Sequence, residues 1–220
     1  MKKSWVDIGP LLRPYADRLN VGLVTIAEGA LDEAAATLKR ALPAGRWLVV
    51  ADPTTHRVAG ERVLAGLREA GLDADSLVLT PAVGSTLVAN DGEVERLAER
   101  LRTGSPRLAA AVAVGSGTVN DIVKLATFMA GLPYAVVATA PSMNGYTSPI
   151  SAILWKGVKS VQDAHVPRAV VADVTVLAAA PARMIASGFG DLLSKPVSNA
   201  DWLLSHLLTC LLYTSPSPRD

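Results

Sequence analysis

The stretch that decides the fold is Leu108–Lys124, LAAAVAVGSGTVNDIVK. Leu108–Val114 is an unbroken apolar run, the pattern of a strand buried on both faces. Gly115-Ser116-Gly117 then turns the chain. Val119, Ile122, Val123, Ala126 and Met129 recur at helical spacing as far as Ala130, and Gly131 and Pro133 close the helix. A strand, a glycine turn and a helix thus follow one another without a linker.

Strands and helices alternate in both directions from it. Upstream, Trp47–Ala51 (WLVVA) reads as a buried strand ended by Asp52. Thr54 or Thr55 caps a helix that runs to about Ala70 and stops at Gly71. Ser76–Leu79 is a further strand, and Asn90 or Asp91 caps a helix reaching about Leu101. Downstream, Tyr134–Ala138 (YAVVA) and Ala169–Ala172 (AVVA) are strands, and Pro181 opens a helix at a position that proline favours. The first forty or so residues read as helical, with Leu31–Leu42 closed by Pro43 and Gly45. Strands alternating with helices predict an α/β fold: a Rossmann-like parallel sheet with helices on both faces, followed by the start of an all-helical C-terminal domain. The expected division is residues 1–180, 181–208 and a tail, 209–220. That tail, TCLLYTSPSPRD, reads as a translated cloning scar, so the natural chain is expected to continue past Leu208.

Composition narrows the function. The chain has 220 residues, 50% hydrophobic, 19% charged, with net charge +1. No region is densely basic, so a nucleic-acid groove is not expected. Cys210 is the one cysteine, which excludes an internal disulfide and a cysteine-rich zinc site. Met1–Asp7 is not followed by an apolar run, and no apolar stretch is long enough to span a bilayer. A cytoplasmic protein is expected; a homo-oligomer is compatible with this reading.

Three polar segments carry the candidate chemistry. At Gly115-Ser116-Gly117 glycines allow a sharp turn, and the helix start beyond offers N–H groups and a partial positive charge to a pyrophosphate. Asn120 stands where the common Gly-x-Gly-x-x-Gly dinucleotide fingerprint has its third glycine, so an ordinary Rossmann dehydrogenase is disfavoured. Asp52 ends a strand at the same sheet edge; it suits ribose hydroxyls and repels a 2′-phosphate, or it caps the turn before Pro53. Thr139–Pro149 (TAPSMNGYTSP) is dense in hydroxyls and amides. In Gly188–Lys195 (GFGDLLSK) a flexible break at Ser187–Gly190 precedes a helix begun by Asp191, with Lys195 on the same face. Pro196 bends or limits that helix. His56, His165 and His206 lack metal-ligand spacing and read as surface or cap residues.

In this order, Gly115–Asp121, Thr139–Ser148 and Gly188–Lys195 resemble the sn-glycerol-1-phosphate dehydrogenase family, within the superfamily of iron-containing alcohol dehydrogenases and dehydroquinate synthases. The resemblance implies an N-terminal domain binding NAD or NADP and a C-terminal helical domain supplying most of a divalent metal site, zinc in the expectation. Gly115, Ser116, Gly117, Thr118 and Val119 would hold the pyrophosphate, and Asp52 the adenosine ribose. Thr139, Ala140, Pro141, Ser142 and Ser148 would line the nicotinamide side. Asn144, where the family often has Asp, and Asp191 would meet a small phosphorylated substrate, and Asp191 would be the first metal ligand. Two histidines beyond residue 208 would complete that site, so the chain by itself is expected to be inactive. The implied reaction is reduction of dihydroxyacetone phosphate to sn-glycerol 1-phosphate. The alternatives are a dehydroquinate synthase-like enzyme or other polyol dehydrogenase, a lipid or NAD kinase-like enzyme, and a non-catalytic nucleotide-binding module.

Overall fold

The computed structural model of the chain describes residues 22–81 and 85–209. The helical expectation for the first 21 residues and the reading of the tail from residue 210 lie outside them.

In chain order the elements are β1 (Leu23–Ala27), α1 (Ala34–Ala41), β2 (Arg46–Ala51), α2 (Glu61–Glu69), β3 (Ala74–Val78), α3 (Asp91–Thr103), β4 (Leu108–Gly115), α4 (Gly117–Ala130), β5 (Tyr134–Ala138), β6 (Ile150–Trp155), β7 (Val158–Asp163), β8 (Ala169–Asp173), α5 (Val174–Ala178) and α6 (Ala182–Thr209). Between β2 and α2 the chain passes through a short helix, Pro53–Thr55, and a π-helical turn, His56–Gly60. Six strands form one sheet in the order β1-β8-β5-β4-β2-β3, all parallel. β6 and β7 form a separate antiparallel hairpin.

The sheet is covered on both sides, which is why its central strands read as continuous apolar runs. Side chains alternate across a strand. Trp47, Val49 and Ala51 therefore pack on one face with Leu38, Val63 and Leu67, while Leu48 and Val50 pack on the other with Leu97, Ile122 and Val123. Asn90 caps α3 by accepting from Glu93 N–H, and Gly131, at φ 67°, ends α4 in the left-handed conformation. Asp173, at the end of β8, is 2% exposed and accepts hydrogen bonds from Gly29 N–H, Leu31 N–H and Thr175, tying the loop after β1 to the sheet.

Three expectations need correction, and one segment is new. Leu23–Ala27 is a strand, not part of a helical N-terminal stretch; as an edge strand it is half-exposed and lacks the apolar continuity of its neighbours. The hairpin β6–β7 occupies a segment to which the sequence reading assigns no element. Gly188 and Gly190 do not break the last helix, and Pro196 lies within it: α6 runs from Ala182 to Thr209. Nor is His165 a surface residue; it stacks on Tyr134 at 5.2 Å and pairs with Thr127 Oγ1 at 2.9 Å.

Candidate functional site

The parallel sheet brings the carboxyl ends of β2, β4, β5 and β8 to one edge, because their registers align. Ala51 pairs with Val114, Gly115 with Ala138, and Ala138 with Ala172. From β2 the chain steps outward to β3, then returns past β2 to β4 and continues the other way to β5 and β8. The direction thus reverses between β2 and β4. In open α/β sheets a crevice forms at such a switch point, outside the carboxyl ends of the strands.

A cleft of about 870 Å³ lies there. Of the residues singled out from sequence, Asp52, Ser116, Thr118, Thr139 and Ala140 line it. Gly115, Gly117 and Val119 belong to the same turn but are not part of its wall. Pro141, Ser142, Asn144, Ser148 and Asp191 also lie outside the lining. Sequence reasoning missed Thr175, Val176, Ala179, Arg183 and Met184, which also line the cleft. The carboxyl end of β8 was the signal for them, since Asp173 leads straight to Thr175.

Each candidate has a definite local role. Asp52 Oδ1 accepts from Thr54 N–H at 2.7 Å and Thr55 N–H at 2.8 Å, and Thr55 Oγ1 accepts from Asp52 N–H, so a capping box forms. Both donors fall on Oδ1, so this cap does not use Oδ2. A Cβ at Gly115 would stand 2.6 Å from Val119 Cβ, so the strand-to-helix corner itself requires glycine there. Ser116 opens α4 without a side-chain capping bond. The first-turn N–H groups are therefore not engaged by their own cap residue, and they carry the positive end of the helix dipole.

The polar loop after β5 is tied to this turn. Thr139 N–H donates to Gly115 O at 3.2 Å, and Tyr146 Oη donates to Ala140 O at 2.7 Å. Burial, which outweighs the hydrogen bond to Ala140, holds the Tyr146 phenol well above its ordinary pKa. Ser148 Oγ accepts from Ile150 N–H at 3.3 Å and so serves the turn. From below, Lys124 Nζ donates to Gly145 O at 2.9 Å and Ile150 O at 3.0 Å.

α6 approaches the same loop from the other side. A Cβ on Gly188 would fall 1.7 Å from Pro141 O, so only glycine permits the contact. One turn on, Asp191 Oδ2 accepts from Asn144 N–H at 2.9 Å, and Asp191 Oδ1 lies 3.9 Å from Lys195 Nζ. The two residues expected at the substrate therefore meet each other. Among the described residues no group of three His, Cys, Asp or Glu side chains converges. Zinc sites take three or four protein ligands, so Asp191 by itself does not make a metal centre. No helix among the described residues is long and apolar enough to cross a membrane.

A family profile described as iron-containing alcohol dehydrogenase matches residues 25–181. A glycerol-1-phosphate dehydrogenase [NAD(P)+] of Bacillus subtilis is 37% identical over 161 residues, covering 73% of this chain and 40% of the relative. One from Halalkalibacterium halodurans is 35% identical over 160 residues, covering 73% and 39%. In fold, the crystal structure of glycerol dehydrogenase from Schizosaccharomyces pombe matches with TM-score 0.70 at 20% identity, covering 86% of this chain and 46% of that one. The chain thus spans less than half the length of these relatives.

Proposed function

The chain belongs to the iron-containing alcohol dehydrogenase family, and from that premise we propose that its cleft seats NAD(H) or NADP(H) for reduction of dihydroxyacetone phosphate to sn-glycerol 1-phosphate. One observation carries the reading. Asp52 after β2 and the turn Gly115–Gly117 after β4 flank the crevice where the sheet order reverses, and Asp52, Ser116 and Thr118 line one cleft.

The residues of this chain divide the work. N–H groups of the first turn of α4, with the Ser116 and Thr118 hydroxyls, bind the cofactor diphosphate. Asp52 offers its uncapped oxygen to ribose hydroxyls and disfavours a 2′-phosphate. Val176, Ala179 and Met184 supply an apolar wall for an aromatic base. Thr139 and Ala140 line the side toward the polar loop, where Asn144 and Asp191 meet the phosphorylated substrate. The bound nicotinamide supplies the hydride. Asp191 is the donor that this chain would contribute to a divalent metal such as zinc, which would supply Lewis-acid polarisation of the substrate carbonyl. Residues 22–180 form the cofactor domain in this reading, and α6 begins the next one. The names of the curated relatives support the activity and the choice of cofactor. The chain spans 39–40% of those relatives, so the whole reaction is proposed for a protein of their length.

Fluorescence titration with NADH and NADPH tests the cofactor reading. Saturable binding is expected, competed by adenosine diphosphate ribose, which carries the diphosphate and both riboses. A folded chain that ignores both dinucleotides defeats it. In a protein of the relatives' length, oxidation of sn-glycerol 1-phosphate in preference to sn-glycerol 3-phosphate and glycerol is expected; the opposite preference overturns the substrate assignment.

A further inference from the structure

The side chain of Lys124 is fully buried, at 0% exposure, on the face of α4 turned toward the hairpin and the polar loop. Burying an ammonium group is unfavourable unless it is paired and hydrogen-bonded, and an apolar side chain packs a helix interface more simply. What this ammonium holds is therefore informative. Its two acceptors, Gly145 O and Ile150 O, bracket the turn that carries Tyr146 and Ser148. One turn earlier, Asp121 supplies the opposing charge and accepts a hydrogen bond from Ala152 N–H. Ser151 Oγ donates to Asp121 O at 2.9 Å. The helix that begins at the glycine turn thus grips both ends of the loop ahead of β6.

The other end of the chain of contacts is the substrate side. Asn144 immediately precedes Gly145, and its N–H holds Asp191. Tyr146 reaches back to Ala140 O at the cleft wall. A shift of the Gly145–Ile150 turn would move Asn144 relative to Asp191 and Ala140 relative to the cleft.

We propose that Lys124 is a positioning residue, which locks the Thr139–Ser148 loop onto the helix of the cofactor turn and so couples cofactor binding to the placement of Asn144 against Asp191. The inference rests on the dinucleotide reading given above. Lys124 touches neither cofactor nor substrate; it acts through two backbone carbonyls.

Hydrogen–deuterium exchange on the 220-residue chain, with and without NADH, tests it on Lys124→Met. Lys159→Met serves as the control, because Lys159 also acts on Asp121 through its charge. In Lys124→Met, residues 142–151 should exchange on the order of tenfold faster or more, while β4 and β5 keep their protection. NADH should protect residues 117–119 and 142–148 in the wild type and in Lys159→Met, but 117–119 alone in Lys124→Met. A purely structural lysine would lower protection across the whole sheet and leave the NADH pattern unchanged; that result overturns the proposal, as does wild-type exchange at 142–151. Should Lys124→Met fail to fold, Lys124→Gln, which keeps an amide donor without the charge, decides on the same two readouts. NADH failing to protect 117–119 in the wild type overturns the cofactor reading, whereas the role of Lys124 falls on the exchange of 142–151.

Discussion

Asp191 Oδ2 accepts the backbone N–H of Asn144 at 2.9 Å, joining the last helix to the loop after β5 across 47 positions of sequence. The contact depends on how closely α6 lies against that loop, and Gly188 sets the distance. A methyl group on Gly188 would overlap Pro141 O, a backbone atom that cannot swing aside. Gly188→Ala is therefore expected to push α6 away and separate Asp191 from Asn144. Overpacking of this kind costs about 1–3 kcal/mol. Amide exchange at Asn144 should rise while β4 stays protected; unchanged exchange at Asn144 contradicts the packing argument.

The two glycines of the turn should separate folding from binding. Gly115→Ala drives a methyl group into Val119 Cβ and Cγ2, so thermal stability should fall by about 1–3 kcal/mol. At Gly117 the nearest atom to an added Cβ is Met143 Cγ, at an ordinary 3.6 Å. Gly117→Ala should hold stability within about 0.5 kcal/mol, yet weaken NADH because the methyl group stands where the diphosphate approaches the backbone. Wild-type affinity in Gly117→Ala would remove the turn from the proposed diphosphate site.

Asp52 both caps and, in the proposal, binds ribose, and Asp52→Ser distinguishes these roles. Serine caps nearly as well as aspartate, so stability should change by no more than about 0.5 kcal/mol. Loss of the carboxylate should weaken NADH about tenfold, or roughly 1.4 kcal/mol, and narrow its margin over NADPH. Calorimetric titration of both cofactors measures this. Equal, unchanged affinities would reduce Asp52 to a cap.

The pair Asp121 and Lys124 should leave a mark on the pH dependence of stability. Burial, partly offset by Lys124, pushes the Asp121 carboxyl from 3.8 up to about 6. Burial, partly offset by Asp121, pushes Lys124 from 10.5 down to about 8. A raised carboxyl contributes stability that is full below its unfolded value and is lost as pH rises through the folded one. The lysine contribution is full above 10.5 and is lost as pH falls through about 8. Asp121→Asn should therefore gain stability relative to wild type as pH rises from about 4 to 6. It should also move the lysine limb below pH 8, because Asp121 no longer supports the ammonium. Thermal melts from acid to alkaline pH report both; a constant difference between the two proteins would refute the assignment.

The sequence by itself determined the elements whose stability is local or whose burial is complete. β2, β4, β5 and β8 are legible because strands covered on both faces must be apolar throughout, and α3 and α4 because the Asn90 side chain caps the start of one and Gly131 in the left-handed conformation ends the other. The glycine turn and Asp52 were legible as site candidates for the same reason: they sit at strand ends, where function and turn chemistry coincide. Tertiary structure decided what depends on neighbours distant in sequence. The order β1-β8-β5-β4-β2-β3, which opens the crevice between β2 and β4, follows from how strands pair and not from any one strand. Leu23–Ala27 becomes a strand because β8 offers it an edge, and the hairpin turns at Lys156-Gly157, both at positive φ, without the Asn-Gly or Asp-Gly pair that usually announces such a turn. Gly188 reads as a helix breaker when isolated, yet it is what lets α6 pass within contact of Pro141. Burial of Lys124 is likewise invisible in a helix sequence, since the carbonyls that satisfy its ammonium belong to Gly145 and Ile150, 21 and 26 residues later.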